Sequence, residues 1–110
     1  MFNDTYKEIK NPTTGLHKEK GSRFISYLFP VYSEQEVKKR LEEVKKIEHS
    51  ARHHCYAYII NPDKSLQRAN DDGEPSSTAG KPILRQIQSN DLTNILIIVV
   101  RYFGGIKLGV

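Results

Sequence analysis

Three stretches of the sequence gather residue types that could do chemistry. Asp71-Asp72-Gly73-Glu74-Pro75 sets three carboxylates within five residues, beside one flexible and one rigid position. Asp71, Asp72 and Glu74 have the hard oxygen donors that magnesium takes, or could supply a general base. The same residues also make an ordinary exposed acidic turn, and their spacing is not that of an EF-hand calcium loop. Directly after them, Ser76-Ser77-Thr78-Ala79-Gly80-Lys81 brings hydroxyls, small residues and a cation to the start of a helix. Free amides and the helix dipole favour an anion there, so a phosphate or an acidic side chain fits. Simple capping by the Ser76 or Thr78 hydroxyl fits equally well. The spacing is not that of a Walker loop. In the third stretch, Arg101 and Tyr102 precede Phe103-Gly104-Gly105-Ile106-Lys107. Arg101 suits an ion pair or an anion contact, Tyr102 could stack on a base, and Phe103 suits core packing.

His53-His54-Cys55 invites a metal or thiol reading, but neighbours on an extended strand point to opposite faces and chelate poorly. A cysteine nucleophile needs an acidified thiol and a base from elsewhere, and neither His17 nor His49 stands out as that base. His54 and Cys55 are therefore read as structural, or as residues lining a site. No catalytic residue, metal-ligand set or cofactor is nominated.

These segments need elements to hold them. Asn11-Pro12-Thr13-Thr14-Gly15 reads as a hairpin turn, and Arg23 to Val31 as a strand ending at Pro30. Ser33-Glu34-Gln35-Glu36 reads as a capping box, in which Glu36 reaches back to the Ser33 amide. It opens a helix to Ser50 with Val37, Leu41, Val44 and Ile47 on one buried stripe. Cys55 to Ile60 and Leu66 to Asn70 read as strands either side of a turn at Asn61-Pro62-Asp63. A second helix starts near Gly80 or Lys81, because Pro82 is tolerated only in a first turn. Its Ile83, Leu84 and Ile87 face the core, and it ends near Ser89 and Asn90. Ile95 to Val100 shows no polar alternation, as expected of a central strand. The order is β-β-α-β-β-α-β, an α+β two-layer fold with both helices on one face of the sheet.

At 110 residues the chain holds one domain. No apolar run approaches the ~20 residues of a membrane helix, and Met1-Phe2-Asn3-Asp4 does not read as the basic, then apolar opening of a secretory leader. With one cysteine, no internal disulfide forms. The expected setting is cytoplasmic, away from the membrane. The net charge of +4 makes RNA a candidate partner. The lysine-rich first helix is balanced by its own glutamates, however, so it reads as a solvated face. The excess cations are scattered over Lys7, Lys10, Lys18, Lys20, Arg23, Lys81, Arg85, Arg101 and Lys107.

Taken together, Lys20-Gly21-Ser22-Arg23-Phe24-Ile25, Ala51-Arg52-His53-His54-Cys55-Tyr56-Ala57-Tyr58, Asp71 to Pro82, Thr93-Asn94-Ile95 and Arg101 to Gly109 resemble the motifs of the IMPACT/YigZ family, in the family's order. Ser77 stands where that family usually has glycine. The resemblance implies a fold like the second domain of a small-subunit ribosomal protein, shared with elongation factor G and certain small-molecule kinases. In those kinases a glycine-rich turn holds phosphates, which suggests a role for Gly104-Gly105. The resemblance also implies a regulator of translation, since IMPACT binds a ribosome-associated activator of an initiation-factor kinase. The family carries no established catalytic residues. It typically continues with a long helix, and its bacterial members with a ferredoxin-like domain. A bacterial-type IMPACT domain, incomplete at its C-terminus, is the expectation for residues 1–110. The expected function is a binding module that contacts RNA, the ribosome or a translation-associated protein through Asn70–Pro82 and Arg101–Gly109. The alternative is a metal- or phosphate-dependent enzyme built on Asp71, Asp72 and Glu74.

Overall fold

The computed structural model describes residues 6–73 and 79–103. Its elements are β1 (Thr13–Glu19), β2 (Ser22–Pro30), α1 (Glu34–Ile47), β3 (His54–Ile60), β4 (Leu66–Asn70), α2 (Gly80–Ser89) and β5 (Ile95–Phe103). The class is α+β and the order is the expected one. The first hairpin turns elsewhere, however. Residues 13–15 already belong to β1, and the chain reverses at Lys20-Gly21, where φ is 51° and 82°. Two successive positive φ values describe a type I′ turn, whose twist matches that of the strands it joins.

All neighbouring strands are antiparallel, in the spatial order β1-β2-β5-β3-β4. Side chains alternate faces along each strand, so the register assigns every residue to one face. Tyr58, Ile60, Leu96, Ile98 and Val100 share a core with Val37, Leu41 and Val44 of α1. Cys55, Ala57, Ile59 and Ile95 share the other core with Ile83 and Ile87 of α2. The helices therefore lie on opposite faces, not on one. The cause is legible in β3 and β5, which are apolar on both faces and need cover on both. There is a consequence for handedness. β2 and β3 run parallel, as do β4 and β5, and the two crossovers move across the sheet in opposite senses. If both were right-handed, the usual preference, both helices would share a face. One crossover is thus left-handed.

Helix α1 starts at Ser33, whose hydroxyl accepts from the Glu36 amide at 3.2 Å. Glu36 reaches back one residue further than a standard box and accepts from the Tyr32 amide at 2.5 Å. Ile47 leaves the predicted stripe and is 64% exposed. Six residues past Leu41, it lies roughly 120° further round the helix. Helix α2 begins at Gly80 and keeps Pro82 in its first turn, as expected. Among the described residues, no helix is long and apolar enough to cross a membrane.

Candidate functional site

β4 and β5 end, and β2 and β3 begin, at the same end of the sheet. Asn70 pairs with Tyr56, and His54 with Val100, so residues 71–73 and Arg101 flank the start of β3. They stand two strand spacings apart, about 10 Å. The described parts of two predicted segments, 70–73 with 79–82 and 101–103, thus share one end of the molecule.

Asp71 and Asp72 are turned inward. Asp71 Oδ1 accepts from the Gly80 amide at 2.6 Å. Ala79, at the N-cap, has no side-chain acceptor, so an aspartate nine residues upstream caps α2 instead. Asp72 Oδ2 accepts from the His54 amide at 2.7 Å, while the Asp72 amide donates to Asn70 Oδ1 at 2.6 Å. The Asp72 carbonyl accepts from His53 Nδ1 at 2.7 Å. The Cys55 thiol donates to the Asp71 carbonyl at 3.3 Å. Of the expected alternatives at the helix start, an acidic side chain takes the place. Asp71→Ala is accordingly expected to cost about 1 kcal/mol, the usual value of a lost N-cap. Asp71→Asn, which keeps an acceptor, should cost much less. Urea unfolding of the two variants checks this.

The other nominated residues are divided by face. Arg101 lies on the α2 side, cross-strand from Phe24, and is half-buried. Tyr102, one residue on, lies on the α1 side. Its hydroxyl donates to Glu48 Oε1 at 2.6 Å, and the Tyr27 hydroxyl donates to Glu48 Oε2. The Arg23 guanidinium sits 5.0 Å from the Tyr102 ring centroid. Tyr102 is half-buried, with its hydroxyl tied to Glu48 and its ring beside Arg23. His54 and Cys55 are both buried, on opposite faces as neighbours must be. His54 Nε2 donates to the Glu48 carbonyl at 2.9 Å, and its Nδ1 lies 3.7 Å from Asp72 Oδ2. Gly80 is buried and Lys81 is exposed at the start of α2. Glu74, Ser76, Thr78, Gly104, Gly105 and Lys107 lie outside the described residues.

Sequence reasoning missed the centre of the network on the α1 face, Glu48. A signal was available. Glu48 is the C-cap of α1, where the helix dipole disfavours an anion. An acid there needs donors of its own, and two phenols supply them. Burial works to raise the Glu48 carboxyl, but the Tyr102 and Tyr27 hydroxyls, with Arg23 and His54, outweigh it and lower it below the usual value. Burial and then the bond to Glu48 push both phenols up to about 12.

Fold and site together define a class: a five-stranded α+β domain in which Asp71 caps a helix start at one end of the sheet. The Impact N-terminal domain matches residues 20–110, and the chain belongs to that family. It is 48% identical over 88 residues to the IMPACT family member YvyE of Bacillus subtilis, covering 80% of this chain and 41% of that protein. To the IMPACT family member YigZ of Escherichia coli it is 43% identical over 100 residues, covering 89% and 49%. The solved structure of the two-domain translational regulator Yih1 superposes with a TM-score of 0.61 at 30% identity, over 86% of this chain and 36% of that one. The chain spans half or less of the length of each of these relatives.

Proposed function

We propose that this chain is the binding module of a translation-linked regulator, contacting RNA, the ribosome or a translation-associated protein through residues 70–82 and 101–109. The observation that carries the reading is the inward turn of Asp71 and Asp72. One oxygen of Asp71 and one of Asp72 already accept backbone amides, so the loop acts as a brace. Lys81 and Arg101 give the same end of the molecule its positive character. Membership of the family of Yih1, a translational regulator, supports the link to translation. The inward carboxylates weigh against the alternative of a metal-dependent enzyme, which needs them as donors.

Co-sedimentation with purified ribosomes tests the proposal. The chain is expected to pellet with ribosomes at low salt and to be released as salt rises. Lys81→Ala combined with Arg101→Ala should lower the pelleted fraction several-fold. A chain that stays in the supernatant at low salt, or a double variant that pellets like the wild type, overturns it.

A further inference from the structure

We propose that β1 is a self-association edge, on which a second copy of this chain adds its own β1 antiparallel about a two-fold axis at Leu16. β1 is an outer strand of the sheet, and every residue of Thr13–Glu19 is exposed. Its pairing with β2 runs from Thr13 to Glu19 without a bulge, and it holds no proline and no positive φ. Bulges, prolines and covering segments commonly protect an open edge, and β1 has none of them among the described residues.

The hairpin fixes which amides face outward. Its two-residue turn, Lys20-Gly21, closes on Glu19 and Ser22, which exchange both backbone bonds. Bonded and non-bonded pairs alternate from there. His17, Gly15 and Thr13 therefore also bond to β2, while Thr14, Leu16 and Lys18 turn their N–H and C=O groups away from the sheet. Leu16 is the middle residue of the strand. Two copies overlapped along the whole strand set Leu16 against Leu16, with Thr14 against Lys18 on either side. That register makes about six backbone bonds between the copies. Leu16 is 61% exposed and outside both hydrophobic cores, so the pair gives it an apolar neighbour that the single chain does not.

Charge selects the edge and the partner. In this register no charged residue stands directly opposite one of its own sign: Lys18 meets Thr14, Glu19 meets Thr13 and His17 meets Gly15. His17 lies diagonal to its own copy, and each His17 has Glu19 beside it, with Oε1 3.3 Å from Nε2. The other outer strand, β4, fails the same test. Its middle residue is Arg68, so full overlap of two β4 strands sets one guanidinium against another. Gln67 of β4 is also tied to Gln88 of α2. Pairing β1 with the β4 of another copy would leave edges free and propagate a filament, whereas β1 on β1 closes as a dimer.

One strand pair is a small interface, so the dimer is weak and depends on concentration. Sedimentation velocity of the full chain, from about 10 μM to about 1 mM, should show its mass rising from one chain towards two. Leu16→Lys sets two ammonium groups against each other at the axis and should stay monomeric throughout. The position lies outside both cores, so the substitution leaves them intact. Leu16→Cys should form a disulfide-linked dimer with oxidised glutathione, because its two copies stand about 5.5 Å apart at Cα. Thr14→Cys, whose copies are offset by about 14 Å along the strands, should not. The native Cys55 is buried. Equal cross-linking of the two cysteine variants, or a Leu16→Lys variant that dimerises like the wild type, overturns the proposal. A wild type that stays monomeric at every concentration also overturns it, and leaves the edge to a strand of another protein. The outcome is independent of ribosome pelleting, which tests the translation-linked reading alone.

Discussion

Gly80→Ala is expected to destabilise the chain by about 3 kcal/mol, the upper part of the range for overpacking. The sign runs against the ordinary rule, since alanine in place of a helical glycine normally gains up to about 1 kcal/mol. A Cβ on Gly80 would meet the backbone of Asn70, at 2.7 Å from its nitrogen, 2.9 Å from its carbonyl carbon and 3.0 Å from its oxygen. These atoms cannot step aside cheaply. Asn70 is paired with Tyr56 at the end of β4, and its side chain accepts from the Asp72 amide. Relief has to come from lifting α2, which breaks the contact between Asp71 and the Gly80 amide and loosens Ile83 and Ile87 in their core. Gly15→Ala is the matched control, because nothing lies within 4 Å of its Cβ position. Its urea midpoint should stay unchanged or rise slightly. A Gly80→Ala midpoint equal to that of the wild type would mean that α2 is not seated on β4 as described.

Much of this architecture was readable in the residues, and the parts that were not share a physical cause. Leu66 to Asn70 has the strand's own limits, and Pro82 and the Ser33 cap placed both helix starts, because those signals are local. The hairpin turn was misplaced because Asn11-Pro12-Thr13-Thr14-Gly15 has the composition of a turn, whereas Lys20 is an uncommon residue at positive φ. The face covered by each helix depends on which strands become neighbours, which no short window contains. Even so, two apolar faces on β3 and β5 already demanded two covers. The site divides in the same way. That Arg101 and Tyr102 cannot share a face follows from strand alternation alone. That Asp71 would cap a helix nine residues away does not, because it needs the loop to close.

Glu48→Ala is expected to cost about 2–3 kcal/mol at neutral pH. Hydrogen bonds to a charged acceptor contribute ~1.5–3 kcal/mol each, and the half-exposed setting of this pair brings their sum down. The variant strips two phenols of one acceptor and unties the end of α1 from β2 and β5 together. Glu48→Gln keeps an acceptor oxygen but loses the charge, so it should fall between the two. The pH dependence follows from the directions of the shifts. The Glu48 carboxyl is lowered in the fold, so its contribution is complete above the ordinary value of 4.5 and is lost as pH falls through the lower folded one. The phenols are raised, so theirs is complete below the ordinary 10.0 and is lost as pH rises towards about 12. Tyrosinate absorbance reads the network directly. Tyr27 and Tyr102 should ionise near 12 in the wild type and return towards 10.0 in Glu48→Ala. Tyr58, raised to about 12 by burial and its bond to Glu34, should not move and serves as the internal reference. Unchanged titration of all three in the variant would mean that Glu48 does not hold the two hydroxyls. The tie between α1, β2 and β5 would then have to come from the apolar core alone.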